Sequence, residues 1–175
     1  MQHTLAQDFT LQGIGLHKAE PVTVTVAPGR INTGIVFVRA DLDNAEILAH
    51  WSGVEQTPLC TRLHSGDISV STIEHLMAAF IGCGIDNARV VLNAAEMPIL
   101  DGSAKPYVDA IRRAGIKKQE APRQVFEIIK PVEVSDGDKY VRLEPYHAPY
   151  FLFSIDFESA AIGRQDLEYV HEDMD

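Results

Sequence analysis

Glu74 and His75 stand side by side in a run, Ser71 to Phe80, that reads as a short helix. Ile73, Leu76, Met77 and Phe80 recur at helical spacing, so one apolar stripe should face a sheet or core. The opposite side of a surface helix normally carries Lys, Glu or Gln. Here it carries His75, Ala78 and Ala79, with Glu74 on its shoulder. Such a face suits a cleft or a second layer better than open water. An acid beside an imidazole is also what metal-assisted hydrolysis needs, one group to ligate the ion and one to act as base toward its bound water. Two plainer readings compete with that one. Ser71 and Glu74 have the spacing of a capping box, in which Glu74 would only close the helix N-terminus. A lone helical His, moreover, is more often a structural or surface residue than a ligand.

The elements that must hold this pair follow from periodicity and turn chemistry. Val22 to Val26 alternates apolar and polar residues as a half-buried strand does, and turn residues at 28–29 and 32–34 precede a second strand at Ile35 to Arg39. Further strands are expected at Leu59 to Leu63 and Ile68 to Val70, around the turn at Ser65 to Asp67. The Glu-His helix should stop at Gly82 and Gly84, and a strand should follow at Arg89 to Asn93. A loop at Met97 to Ala104 leads to a helix capped near Ser103 and closed by Gly115. Residues 116–123 are polar and read as a linker. A new strand set is expected at Val125 to Ile129, Val132 to Val134, Tyr140 to Leu143 and Phe151 to Phe157.

Strands, helix, strand, helix and then strands again make an α+β protein. One unit is expected over residues 1–121, a second, begun but without a recognisable helix, over 122–165, and an acidic tail over 166–175. The net charge of −10 and a pI near 5.1 argue against nucleic acid, whose phosphates call for basic patches. Two cysteines, Cys60 and Cys83, make neither a disulfide scaffold nor a thiolate zinc site. The N-terminus lacks a signal-peptide pattern, and no apolar stretch approaches a transmembrane segment, so the cytoplasm is the expected address.

Several segments, taken in order, resemble the zinc-dependent UDP-3-O-acyl-N-acetylglucosamine deacetylases of bacterial lipid A synthesis. They are Gly13-Ile14-Gly15-Leu16-His17, Asn32-Thr33-Gly34, Leu59-Cys60-Thr61 and Ser71-Thr72-Ile73-Glu74-His75-Leu76, then Gly84-Ile85-Asp86-Asn87 and Pro98-Ile99-Leu100-Asp101-Gly102-Ser103-Ala104. Asp136-Gly137-Asp138-Lys139 and Ile155-Asp156-Phe157 complete the series. The resemblance implies two β-α-α-β layers facing each other across the active site, a two-layer sandwich of which this chain holds one complete domain and an incomplete second copy. It implies Glu74 as general base toward a zinc-bound water and His75 as a ligand of Zn2+. The reaction it implies, the committed step of lipid A biosynthesis, hydrolyses the N-acetyl amide of the UDP-linked sugar to acetate and a free amine. Zinc would lower the pKa of its water to near 7 and polarise the amide carbonyl. Lys139, Asp156 and Phe157 match positions near the UDP group, where Phe157 would stack on uracil, Asp156 accept its N–H and Lys139 face phosphate or sugar. Cys60 matches a cysteine near the site, and His17 matches without an evident role.

The resemblance also implies what this sequence lacks. Family members continue beyond residue 175 with an H-x-x-x-D segment that gives the other two zinc ligands, and with the helices of the second domain. Of the ligands, only His75 carries over. His171 and Asp175 repeat the H-x-x-x-D spacing, but in an acidic setting unlike the ligand helix. The site in this chain is therefore expected to be incomplete, to be completed in trans by a second chain, or to belong to an inactive module that retains nucleotide-sugar or partner binding.

Overall fold

The structure, a computed structural model, describes residues 1–170. The chain divides into two compact units, Met1–Arg123 and Gln124–Asp175. In the first, β1 (His3–Leu5) leads to β2 (Phe9–Ile14), β3 (Pro21–Pro28), β4 (Ile35–Arg39) and β5 (Ala45–Leu48). A three-stranded antiparallel ribbon follows, formed by β6 (Val54–Glu55), β7 (Arg62–Ser65) and β8 (Ile68–Ser71). Then come α1 (Glu74–Gly82), β9 (Ala88–Leu92), α2 (Lys105–Ala114) and β10 (Ile116–Lys118). The principal sheet has the order β2-β3-β9-β4-β5, with only the β4–β9 pair parallel.

Alternation decides which face of that sheet is covered. Val22, Val24 and Val26 of β3 and Ala88, Val90 and Leu92 of β9 are buried, and the residues between them are half-buried. The buried rows join Leu76 and Phe80 of α1 and Tyr107 and Ile111 of α2 in one core cluster. The result is a sheet layer against a two-helix layer, the α+β architecture expected. Full burial of a side chain such as Leu76 or Phe80 contributes about 1.5–3 kcal/mol, so α1 is held by its stripe rather than by its intrinsic propensity. The stripe is wider than the spacing alone indicated. Ala79, expected on the opposite face with His75, is buried, whereas Ala78 is exposed and Met77 only half-buried.

Four local expectations are corrected. Residues 59–61 are irregular, and strand structure begins only at Arg62. The segment 116–123 is no free linker: β10 pairs with β1, Ala121 O accepts from Gln2 N at 2.8 Å, and Gln119 Nε2 donates to Gly29 O at 2.9 Å. Its polarity concealed a backbone partner more than 100 residues away. Residues 125–129 form no strand, with Val125, Phe126 and Ile129 exposed. The start of the acidic stretch is not a free tail: residues 164–170 form an exposed strand paired with residues 150–156.

The described part of the second unit consists of two antiparallel hairpins, β11 (Val132–Asp136) with β12 (Lys139–Leu143), and β13 (Tyr150–Asp156) with β14 (Arg164–Val170). Gly137, at φ 62°, lies in the turn between Asp136 and Lys139, a conformation that costs glycine little. Phe151, Phe153 and Leu167 of the second hairpin are exposed.

Candidate functional site

α1 begins with the acid–imidazole pair. Ser71 ends β8, Thr72 turns the chain at φ 58°, Ile73 occupies the N-cap, and Glu74 and His75 fill the first helical positions. No side chain caps the helix. The capping box is therefore not formed: Ser71 Oγ donates to Ala95 O at 3.3 Å, and Glu74 turns elsewhere. Glu74 Oε2 accepts from the backbone N–H of Thr61 at 3.1 Å, tying the helix start to the irregular segment that carries Cys60. Both Glu74 and His75 are half-buried. A carboxylate at this helix end is favoured by the macrodipole. Cys60 is half-buried beside Thr57, whose hydroxyl donates to the Cys60 carbonyl.

A second acid, missed in reading the sequence, lies beneath the helix entry. Glu96 is only 3% exposed. The segment around it is laid between the ends of two strands: Ser71 N donates to Ala95 O and Met97 N to Ser71 O, both at 3.0 Å, while Ile99 N donates to Ile14 O at 3.0 Å. The backbone N–H groups of His17 and Lys18 and the Thr72 hydroxyl donate to the carboxylate, and the His17 ring lies against it. Oε1 lies 2.8 Å from His17 Nδ1, 3.0 Å from His17 N and 3.0 Å from Thr72 Oγ1, and Oε2 accepts from Lys18 N at 3.1 Å. Burial alone would raise the Glu96 carboxyl, but these donors together hold it below the usual carboxylate range.

The glycines of the Gly13-to-His17 motif now have a physical reason. A Cβ on Gly13 would stand 2.8 Å from the Pro98 Cβ, and one on Gly15 would stand 2.6 Å from Glu96 Oε2. Glycine at both positions permits the close approach of the 13–18 segment to the 96–100 loop. One signal could have marked Glu96 beforehand. It is the one charge in an otherwise apolar stretch, Ala94 to Leu100, and a buried charge must find partners.

The five candidate residues are divided between the units. Glu74 and His75 lie in the first. Lys139 opens β12 opposite Asp136, Asp156 ends β13 opposite Arg164, and the half-exposed Phe157 follows, its N–H donating to Gly163 O at 3.1 Å. Among the described residues, no group of three His, Cys, Asp or Glu side chains is placed to hold a metal ion. His171 and Asp175 lie outside the described residues.

Fold and site together define an α+β protein whose acid–imidazole pair opens a helix laid on its own sheet. The chain belongs to the LpxC family, UDP-3-O-acyl N-acetylglycosamine deacetylase, whose model matches residues 2–174. Curated relatives named UDP-3-O-acyl-N-acetylglucosamine deacetylase are similar to it throughout. One from Psychrobacter sp. is 42% identical over 172 residues, covering 98% of this chain and 58% of the relative. One from Geobacter sp. is 47% identical over 174 residues, covering 98% and 57%. One from Campylobacter jejuni is 45% identical over 168 residues, covering 96% and 57%. The chain thus spans little more than half the length of the relatives it matches.

Proposed function

We propose that this chain serves the hydrolysis of the N-acetyl amide of a UDP-linked, 3-O-acylated N-acetylglucosamine, releasing acetate and the free amine for lipid A biosynthesis. Membership of the deacetylase family is the observation that carries the reading. Glu74 is the proposed general base. Thr61 N–H engages Oε2, which leaves Oε1 to take a proton from the attacking water. His75, one residue on, is the proposed ligand of Zn2+, an ion that would polarise the amide carbonyl. The described residues do not by themselves fit that ion: a catalytic zinc takes three protein ligands, and they offer one. The other donors would come from outside them, from further sequence or from a second chain.

The proposed nucleotide contacts lie on the second unit. Phe157 offers a half-exposed ring to uracil, Asp156 an acceptor for its N–H, and Lys139 a cation for phosphate or sugar oxygens. No described helix is long and apolar enough to cross a membrane, and the cytoplasm is the proposed location.

Acetate release from UDP-3-O-acyl-N-acetylglucosamine, measured with added Zn2+ and with a chelator, tests the reading. Glu74→Gln should lower kcat by about 10²–10⁴-fold and leave KM little changed. A second reading is a nucleotide-sugar-binding module without chemistry, resting on the exposed Phe157 and its neighbour Asp156. That reading gains if the chain binds the UDP-sugar, releases no acetate under any condition, and keeps its affinity in Glu74→Gln.

A further inference from the structure

The Glu96 carboxylate is buried, has donors around both oxygens, and touches residues from two separate parts of the first unit. His17 and Lys18 belong to the turn after β2; Thr72 is the last residue before the N-cap of α1. A single oxygen, Oε1, reaches both the His17 imidazole and the Thr72 hydroxyl. Thr72 itself sits at φ 58°, a conformation a β-branched residue adopts only when its surroundings enforce it. The Gly15 backbone approaches so closely that no Cβ fits against Oε2. The imidazole is anchored at one nitrogen, while about a third of the side chain is exposed.

We propose that Glu96 is a positioning residue: it holds His17 in the Nδ1–H form, leaves Nε2 as an acceptor, and locks the Gly15–Lys18 turn to Thr72 at the entry of the helix bearing Glu74 and His75. An ionised carboxylate can only accept, so a neutral imidazole 2.8 Å away must donate through Nδ1. The depressed Glu96 pKa supports that ionised state. This is the chemistry by which a carboxylate fixes the tautomer and ring orientation of a histidine that does its work through the other nitrogen. Thr72 shares the acceptor oxygen, so a disturbance at His17 is felt two residues before Glu74. That Glu74 and His75 form a reaction site rests on the function proposed above; the tautomer and the coupling do not.

Long-range ¹H–¹⁵N spectra of the full 175-residue chain, taken at a pH where the imidazoles are neutral, read the tautomer directly. His17 should carry its proton on Nδ1. In Glu96→Gln the new amide must place an NH2 either against Lys18 N–H or against His17 Nδ1, so either the turn loosens or the tautomer inverts. The expected result is shifts of the Thr72, Glu74 and His75 amides, with loss of the Nδ1–H form where the NH2 faces His17. Thr72→Ser should keep the native pattern, and Thr72→Val, which exchanges the hydroxyl for a methyl, should shift the His17 ring signals in the folded protein. A merely structural role would lower the melting temperature while leaving the His17 ring signals and the Thr72, Glu74 and His75 amides at their parent positions.

The proposal is overturned by His17 carrying its proton on Nε2 in the unmodified chain, an observation that requires no variant. It is equally overturned by a folded Glu96→Gln whose His17 and His75 signals match those of the parent. Absence of acetate release with the expected tautomer intact would count against the proposed reaction and leave the Glu96 assignment standing.

Discussion

A Cβ placed on Gly15 would lie 2.6 Å from Oε2 of Glu96, so the glycine and the buried acid define one close approach between the β2 end and the 96–100 loop. Gly15→Ala must push the carboxylate off Lys18 N–H or displace the turn. A loss of about 1–3 kcal/mol is expected, as for other overpacked sites. Urea denaturation would measure it, and an unchanged midpoint would mean that the turn yields freely.

Acid should weaken the fold partly through the same carboxylate. Glu96 has a folded-state pKa below its unfolded value, so its stabilisation is complete above about pH 4.3, the ordinary Glu range, and is lost as pH falls through the lower folded value. Asp41, held low chiefly by the hydrogen bond from Arg39, works in the same direction. Glu96→Gln should cost on the order of 3 kcal/mol at neutral pH and flatten the acid limb of a stability-against-pH curve. A variant curve parallel to the parent's would refute the attribution.

Tyr107 lies beneath the loop that carries Glu96. Its hydroxyl, buried at the core, donates to Pro98 O at 2.7 Å, and burial pushes its pKa far above the usual phenol range. Tyr107→Phe would leave the Pro98 carbonyl without this donor, at a cost of about 1–2 kcal/mol. Spectrophotometric titration provides an independent check: one tyrosine of the native chain should resist ionisation until the protein unfolds in alkali.

Leu76 points from α1 into the core, fully buried beneath the turn that carries Glu74 and His75. Leu76→Ala should cost about 2–5 kcal/mol, depending on how far the cavity closes. Asp43 makes a useful contrast. It is exposed and sits at φ 54°, so Asp43→Gly should be neutral or stabilising by up to about 1 kcal/mol. Thermal melts of the two variants should move in clearly different ways, and a large loss in Asp43→Gly would show a side-chain role there.

Local chemistry was legible wherever a residue's neighbours in sequence are also its neighbours in space. The stripe of Ile73, Leu76 and Phe80, the alternation of Val22 to Val26 and the turn at Gly137 each carry their own period or dihedral demand. The Glu-His pair was visible for the same reason, because one helical turn holds both residues. What failed depended on partners far along the chain. Residues 116–118 looked like a linker until β1, more than 100 residues away, paired with them.

The sequence by itself determined the α+β class, the helix with its acid and imidazole, and the family to which the chain belongs. Only the tertiary structure decided that Glu96, 79 residues from His17, is its partner, and that two glycines serve that approach. Periodicity fixes which face of an element is apolar, but a buried charge is defined by donors that folding gathers from several elements. For Glu96 those donors come from the turn after β2 and from the entry to α1.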